Sequence, residues 1–273
     1  MRILFKAKNF VFDILFPIQC LGCGVELENL KSKERWICPE CLEKIKIRKN
    51  QVCSFCGEWS EGGKTHYRCK ENTSLDGVWV ATEYKYEVVN KAIRKFKFKF
   101  IKDLSFPLSE ILIKSILNVD EYGDFQDLAL VNFSQESREE KIYIEEEKNK
   151  EVETVVIPVP LHKRRHNWRG FNQAFLLAKP IAGRFKLDVY SNVLLRGENT
   201  KPQTKVKSIE ERGKNIKGAF FVSKCLGIRD LIKNKNVIIV DDVCTTSATL
   251  KECAKELKKA GAKNVWGLVV AGR

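Results

Sequence analysis

From Val237 to Val270 the chain runs apolar strand, polar loop, amphipathic helix and apolar strand, and few architectures accept that order. The strands are Val237-Ile238-Ile239-Val240 and Val265-Trp266-Gly267-Leu268-Val269-Val270. Between them, Ala248 to Ala260 carries apolar residues at helical spacing and stops at Gly261, with lysines in its last turn where the helix dipole favours them. A helix of this length returns the chain over one face of a sheet, so the two strands pair in parallel. Val155-Val156-Ile157-Pro158-Val159 reads as a further buried strand. Gly77 to Thr82 reads as another, followed by helical periodicity through Val88, Val89, Ile93 and Phe96. The expected fold class is α/β, a parallel sheet flanked by helices.

The loop inside that unit carries chemistry. Val240-Asp241-Asp242-Val243-Cys244-Thr245-Thr246-Ser247-Ala248-Thr249 places two carboxylates and then a run of small hydroxyl residues at the carboxyl end of a parallel strand. Backbone N–H groups of Thr245 to Thr249 and the helix N-terminus favour an anion there. Adjacent acids would repel a bare phosphate. They suit a ligand that also presents hydroxyls, so a ribose 5-phosphate is the expected occupant, with Asp241 and Asp242 accepting from the sugar.

Seven of the ten cysteines lie between Cys20 and Cys69. They form Cys20-x2-Cys23, Cys38-x2-Cys41, Cys53-x2-Cys56 and His66-x2-Cys69. Each knuckle presents two ligands on one side of a tight turn, and two knuckles complete a tetrahedron. The spacing predicts two structural Zn2+ sites, one of four cysteines and one of three cysteines and His66. Either order of pairing uses the same residues. Cys225, Cys244 and Cys253 have no partner spacing and are expected to be packing or loop residues.

Charge divides the chain. The net charge is +14, yet residues 118–154 hold twelve acidic residues against four basic ones, so the remainder carries +22. Such a field attracts polyanions. The acidic stretch reads as an inserted surface excursion. Met1 to Pro17 mixes cations with an apolar face interrupted by Asp13, which predicts an amphipathic helix rather than a signal peptide. A cytoplasmic protein without membrane insertion is expected. The basic stripe Lys95-Phe96-Lys97-Phe98-Lys99-Phe100 offers lysines to phosphates and aromatics to bases, although core packing is the plainer fate of the aromatics.

Taken together, these residues resemble the type I phosphoribosyltransferases, and within them the ComF family. The likeness rests on the loop at 240–249, on Ile157 to Arg165, and on Arg169-Gly170-Phe171-Asn172-Gln173-Ala174. It is carried further by Thr200-Lys201-Pro202-Gln203-Thr204, by Asn215 to Phe220 and by the N-terminal cysteine ribbons. It implies an N-terminal helix and double zinc ribbon over 1–72 and a phosphoribosyltransferase-like domain over 73–273, interrupted at about 118–154.

The resemblance also implies a ligand, phosphoribosyl pyrophosphate (PRPP), carried with Mg2+. Residues 241–249 would hold its ribose 5-phosphate, with Asp241 and Asp242 as the catalytic pair. Leu161, His162, Lys163, Arg164 and Arg165 would face pyrophosphate. Thr200, Lys201 and Gln203 would belong to a mobile loop that closes over the ligand. Ser247 stands where the family's loop commonly has glycine, so a left-handed backbone there would weaken binding. The acceptor pocket is expected in a hood built from residues 73–117 and the zinc module. The family name implies DNA uptake in natural competence, with single-stranded DNA on Lys95, Lys97 and Lys99 and a DNA-uptake helicase as a partner. On that alternative the PRPP site would be regulatory or vestigial.

Overall fold

The computed structural model describes residues 18–27, 36–117, 152–197 and 216–272. The expected N-terminal helix, most of the acidic insertion, and Thr200, Lys201 and Gln203 lie outside the described residues.

The zinc-ribbon region contains two short helices, α1 (Pro39–Glu43) and α2 (Tyr67–Lys70). Beyond it run β1 (Gly77–Glu83), α3 (Glu87–Phe98), α4 (Ser105–Leu117) and β2 (Thr154–Pro158). Then come α5 (Lys163–Arg169), α6 (Gln173–Phe185), β3 (Asp188–Val189), β4 (Leu194–Arg196) and β5 (Phe220–Val222). β6 (Asn236–Cys244), α7 (Ala248–Lys259) and β7 (Asn264–Gly272) close the chain. The main sheet has five strands in the order β1-β7-β6-β2-β3, all parallel; β4 and β5 form a separate antiparallel pair.

Strand periodicity separates two cores, one on each face. Ile238 and Val240, with Trp79, Ala81, Leu268 and Val270, pack beneath α3, α4 and α6. Val237 and Ile239, with Val78, Val80, Val155 and Ile157, pack beneath α7 through Leu250, Cys253 and Leu257. α3 buries Val89, Ala92, Ile93 and Phe96 and leaves Glu87, Lys91 and Arg94 outside, the stripe expected of a helix lying on a sheet.

The free edge of β1 is not left bare. Arg48 N–H donates to the Ala81 carbonyl at 2.8 Å, and the Gln51 amide both donates to Val80 O (3.0 Å) and accepts from Val80 N–H (3.1 Å). Thr82 Oγ1 donates to Lys46 O at 2.7 Å. The segment joining the two zinc knuckle pairs therefore covers an edge that would otherwise invite another strand. Gly63 makes the approach feasible: its φ is +76°, and a Cβ there would lie 2.1 Å from the Val78 carbonyl oxygen.

The order of the strands fixes where a ligand can sit. The chain builds outward from β2 to β3 on one side and from β6 to β7 and β1 on the other, so the crevice lies between the carboxyl ends of β2 and β6. β2 ends at Pro158 opposite Val240, but β6 continues through Asp241 to Cys244, paired with β7 alone. The strand therefore runs four residues beyond its apolar run, and the space above the end of β2 stays open. Among the described residues no helix is long and apolar enough to cross a membrane.

Candidate functional site

The cysteine knuckles close into two clusters by sequential pairing. Cys20, Cys23, Cys38 and Cys41 form one, and Cys53, Cys56, His66 and Cys69 form the other, with all ligand atoms in each within 4.8 Å of one another. Cys23 Sγ and Cys38 Sγ are 3.8 Å apart, the edge of a tetrahedron with Zn–S bonds of about 2.3 Å. In the second cluster His66 turns Nδ1 toward Cys56 Sγ (3.3 Å), while Nε2 lies 3.0 Å from the Trp59 carbonyl oxygen. An Nε2–H donated to that carbonyl leaves Nδ1 as the free lone pair, the tautomer a metal needs.

The two clusters repeat a local design. Gly24 N–H donates to Cys20 O and Gly57 N–H to Cys53 O, each at 2.9 Å, with both glycines at positive φ. Burial opposes the Cys20 thiolate, but N–H donors from Cys23, Cys38 and Gly22 prevail and hold it down at about 6. Burial pushes Cys38 and Cys41 up, and the Cys20 charge adds to this at Cys41. A divalent cation supplies the countercharge that lets all four ionise. Both are zinc-binding sites, one of four cysteines and one of three cysteines and a histidine.

The second site is a cavity of about 370 Å³ above the carboxyl ends of β2 and β6. Asp241, Asp242, Val243 and Thr249 line one side; Leu161, Arg165, Arg169 and Arg196 line another; Lys97 and Phe98 come from the end of α3. Strand alternation aims the two carboxylates differently. Asp242 shares its face with Ile238 and Val240, so it points toward α3, where Lys97 Nζ meets Oδ1 at 2.8 Å. Asp242 is 2% exposed, and its Oδ2 is buried with no hydrogen-bond partner. Asp241 Oδ1 accepts from the Asp242 N–H at 2.8 Å. Desolvation, then the neighbouring Asp242 charge, drives the Asp241 carboxyl up to about 7 against the pull of Lys97.

The arginines form the opposing wall. Residues 163–169 are the helix α5, capped by His162, whose Nδ1 accepts from Arg164 N–H at 3.2 Å. The helix sends Arg165 and Arg169, four residues apart, into the cavity and leaves Lys163 and Arg164 exposed to solvent. Of the five residues expected at pyrophosphate, Leu161 and Arg165 line the cavity, His162 caps, and Lys163 and Arg164 point outward. Arg169 is almost fully buried; it donates to Gln173 Oε1, and its Nε is buried without a partner. Arg196 lies 5.1 Å over the Phe220 ring, and burial, then the charge of Arg165, lowers its guanidinium to about 10. Four cations thus face two acids in one cavity, a balance that suits a polyanion carrying hydroxyls.

Arg169, Arg196 and Gln173 had not been read as site residues, and Lys97 had been assigned to a nucleic-acid surface. The four-residue spacing of Arg165 and Arg169 was a legible signal for the first; Arg196 reaches the cavity only through the β4–β5 pair. The basic stripe does not present one face. Lys95 Nζ lies 5.5 Å over the Trp36 ring, Lys97 points into the cavity, Lys99 is exposed, and Phe96 is fully buried. The region 73–117 is not a separate hood: β1 is a strand of the main sheet, and only the end of α3 overhangs the cavity.

The loop between Cys244 and α7 turns through Ser247 at φ 55°, ψ 5°, a left-handed conformation on a residue that is not glycine. Its hydroxyl lies 3.2 Å from Cys244 Sγ, and the neighbouring Thr246 Oγ1 is buried without a partner.

Known proteins are similar to this chain over both regions. Residues 11–70 match the double zinc ribbon domain and residues 172–273 the phosphoribosyl transferase domain. Competence protein F of Haemophilus influenzae is 26% identical over 260 residues, covering 94% of this chain and 98% of the relative. Competence protein ComFC of Bacillus subtilis is 25% identical over 245 residues, covering 89% and 78%. The DNA utilization protein YhgH of Escherichia coli K12 is 35% identical over 115 residues, and that match spans 48% of the relative's length. Two zinc clusters, a parallel sheet with an acid-bearing loop at its switch point, and matches over most of its length make this chain a homologue of competence protein F and competence protein ComFC, with a double zinc ribbon domain and a phosphoribosyl transferase domain.

Proposed function

We propose that the cavity above β2 and β6 binds PRPP and that the protein serves DNA uptake in natural competence. The observation that carries the reading is the lining itself: Asp241 and Asp242 share one cavity with Arg165, Arg169 and Arg196, and Val243 and Thr249 bring the two ends of the loop to it. On this reading the carboxylates accept from the ribose hydroxyls and the loop holds the 5-phosphate. The arginines meet pyrophosphate. Mg2+ would supply countercharge to the pyrophosphate. Asp242 Oδ2, buried and unpartnered, fits a ligand hydroxyl or a cation's water. Transfer forms a bond from an acceptor's lone pair to C1 while the C1–O bond breaks and its electron pair leaves with pyrophosphate. The chain's own part is to position the sugar, exclude water and stabilise the departing charge. Free thiols held for metal fit a reducing cytoplasm.

Calorimetry with PRPP and Mg2+ tests this. Asp241→Ala/Asp242→Ala is expected to weaken binding on the order of 100-fold, two lost charge-assisted hydrogen bonds. Unchanged affinity in that variant sinks the assignment. Pyrophosphate release across an acceptor panel then separates a transferase from a binding protein.

A second reading adds single-stranded DNA. A groove of about 550 Å³ between the zinc region and the sheet is lined by Lys46, Arg48, Lys49 and Lys114 with Tyr86. Basic side chains around an aromatic suit a single strand, and the names of the relatives concern competence and DNA utilization. Salt-dependent binding that survives the double aspartate change would support this groove as a separate site, and a helicase partner would deliver the strand.

A further inference from the structure

We propose that a second cavity, between the second zinc cluster and the start of α7, is a separate phosphate site, with Lys251 and Lys255 as its principal cations. The site stands apart from the PRPP reading, although one arm of its test uses that reading.

This cavity measures about 500 Å³, and its walls come from distant parts of the chain. One wall is the stretch that follows the last zinc ligand, Cys69, and begins at Lys70; the other is the first two turns of α7. The loop between β6 and α7 divides it from the cavity above β2. Val243 and Thr249 line the first cavity, Thr246 and Ala248 the second, and Ile216 lines both.

The charges are placed for an anion. α7 has no acid in its first turn, where a helix favours one, and carries Lys251 near that end instead. The Lys251 N–H donates to the Ser247 carbonyl at 2.8 Å, so this residue also closes the turn of the loop. Its side chain is half-buried, with Nζ 4.8 Å over the ring of Phe55, which sits between Cys53 and Cys56 in a zinc knuckle. Among the described residues Lys251 pairs with no carboxylate. The knuckle therefore holds a cation behind the loop without neutralising it. Lys255 follows one turn later on the same face of the helix. Of the two acids in the lining, Glu71 is exposed, and Glu252 accepts from the Gly218 N–H at 2.8 Å and lies 3.8 Å from Lys255. Thr246 adds a hydroxyl whose oxygen is buried with no partner. A half-buried cation without a countercharge, a second cation one turn on and an unpartnered hydroxyl suit the oxygens of a phosphate group.

Two sources present such a group: a free inorganic anion, or the second phosphate of a molecule whose ribose 5-phosphate sits on the other side of the loop. Calorimetry on the full chain with both zinc ions bound separates them. Inorganic pyrophosphate is titrated into protein saturated with ribose 5-phosphate, and ribose 5-phosphate and adenosine 5′-diphosphoribose are each titrated into ligand-free protein. Lys251→Ala is expected to weaken binding roughly tenfold, with Lys251→Arg recovering most of it. Zinc content and ribose 5-phosphate affinity stay at wild-type levels, and Lys259→Ala, an exposed lysine later on α7, changes nothing. Loss at one of two pyrophosphate sites, the other responding to Arg165→Ala, identifies a free anion. Loss for adenosine 5′-diphosphoribose but not for ribose 5-phosphate identifies the linked phosphate. If neither ligand responds to Lys251→Ala, or ribose 5-phosphate weakens by the same factor, the second site is refuted and the lysine serves the first phosphate or none. If ribose 5-phosphate and PRPP fail to bind while pyrophosphate still responds to Lys251→Ala, the PRPP reading falls and this site stands.

Discussion

Ser247 and Asp241 hold unfavourable states at the same loop. A left-handed serine costs about 1 kcal/mol that glycine would not incur. Ser247→Gly is therefore expected to raise the melting temperature by a few degrees and tighten PRPP binding several-fold, read by calorimetry on both proteins. Asp241 works through protonation. In the folded protein the Asp241–Asp242 pair keeps a proton up to about pH 7, whereas an unfolded aspartate releases it near 4. Ionisation thus opposes folding, and the ligand-free protein loses stability as pH rises from about 4 to 7. Asp241→Asn is expected to flatten that slope and stabilise the protein at neutral pH by on the order of 2 kcal/mol, while weakening PRPP binding roughly tenfold. Denaturant titrations at several pH values check the sign.

At the scale of elements, legibility followed sequence distance. The zinc ligands were readable because each pair is fixed within one turn, and the spacings of the four knuckles supply eight ligands for two tetrahedra. Their pairing was not readable, since it depends on how two knuckles fold against each other. β6, α7 and β7 follow from local periodicity, and the acids at the end of β6 follow with them. A left-handed backbone at Ser247 enters the sequence reading only as a condition attached to the family's common glycine, and the structure holds the serine at φ 55°. Lys97 was misplaced because a helix written as alternating lysine and phenylalanine looks like a strand. The 3.6-residue period buries Phe96, turns Lys97 toward Asp242 and leaves Phe98 outside. Arg196 reaches the cavity on β4, and nothing within that short strand reveals where its guanidinium ends up.

For the whole molecule, zinc and sheet are coupled through the edge of β1. Lys46 to Gln51 link the two clusters and also supply the hydrogen bonds that cover Val80 to Thr82. Metal removal is therefore expected to do more than unravel the ribbons. It should expose that edge and promote association. Cys20→Ser is expected to lower zinc content from two ions to one, and Cys53→Ser likewise at the other cluster, measured by elemental analysis. Light scattering after chelation should rise in the wild type; a chelated protein that stays monomeric with an unchanged melting temperature would refute the coupling.

The pairing of β1 with β7 also sets a timetable. Asp76 accepts from the Val265 N–H, 189 residues further along the chain, and among the described residues β1 has β7 as its main-sheet partner. During synthesis the zinc ribbons can fold, load metal and cover one edge of β1 before β7 is there to pair with the other. The phosphate loop emerges next, still bordered on one side. Only when Asn264–Gly272 leaves the ribosome do the two halves join, so this nine-residue strand is the clasp of the molecule. A nascent chain stalled short of it would carry finished metal sites and an unfinished enzyme-like core.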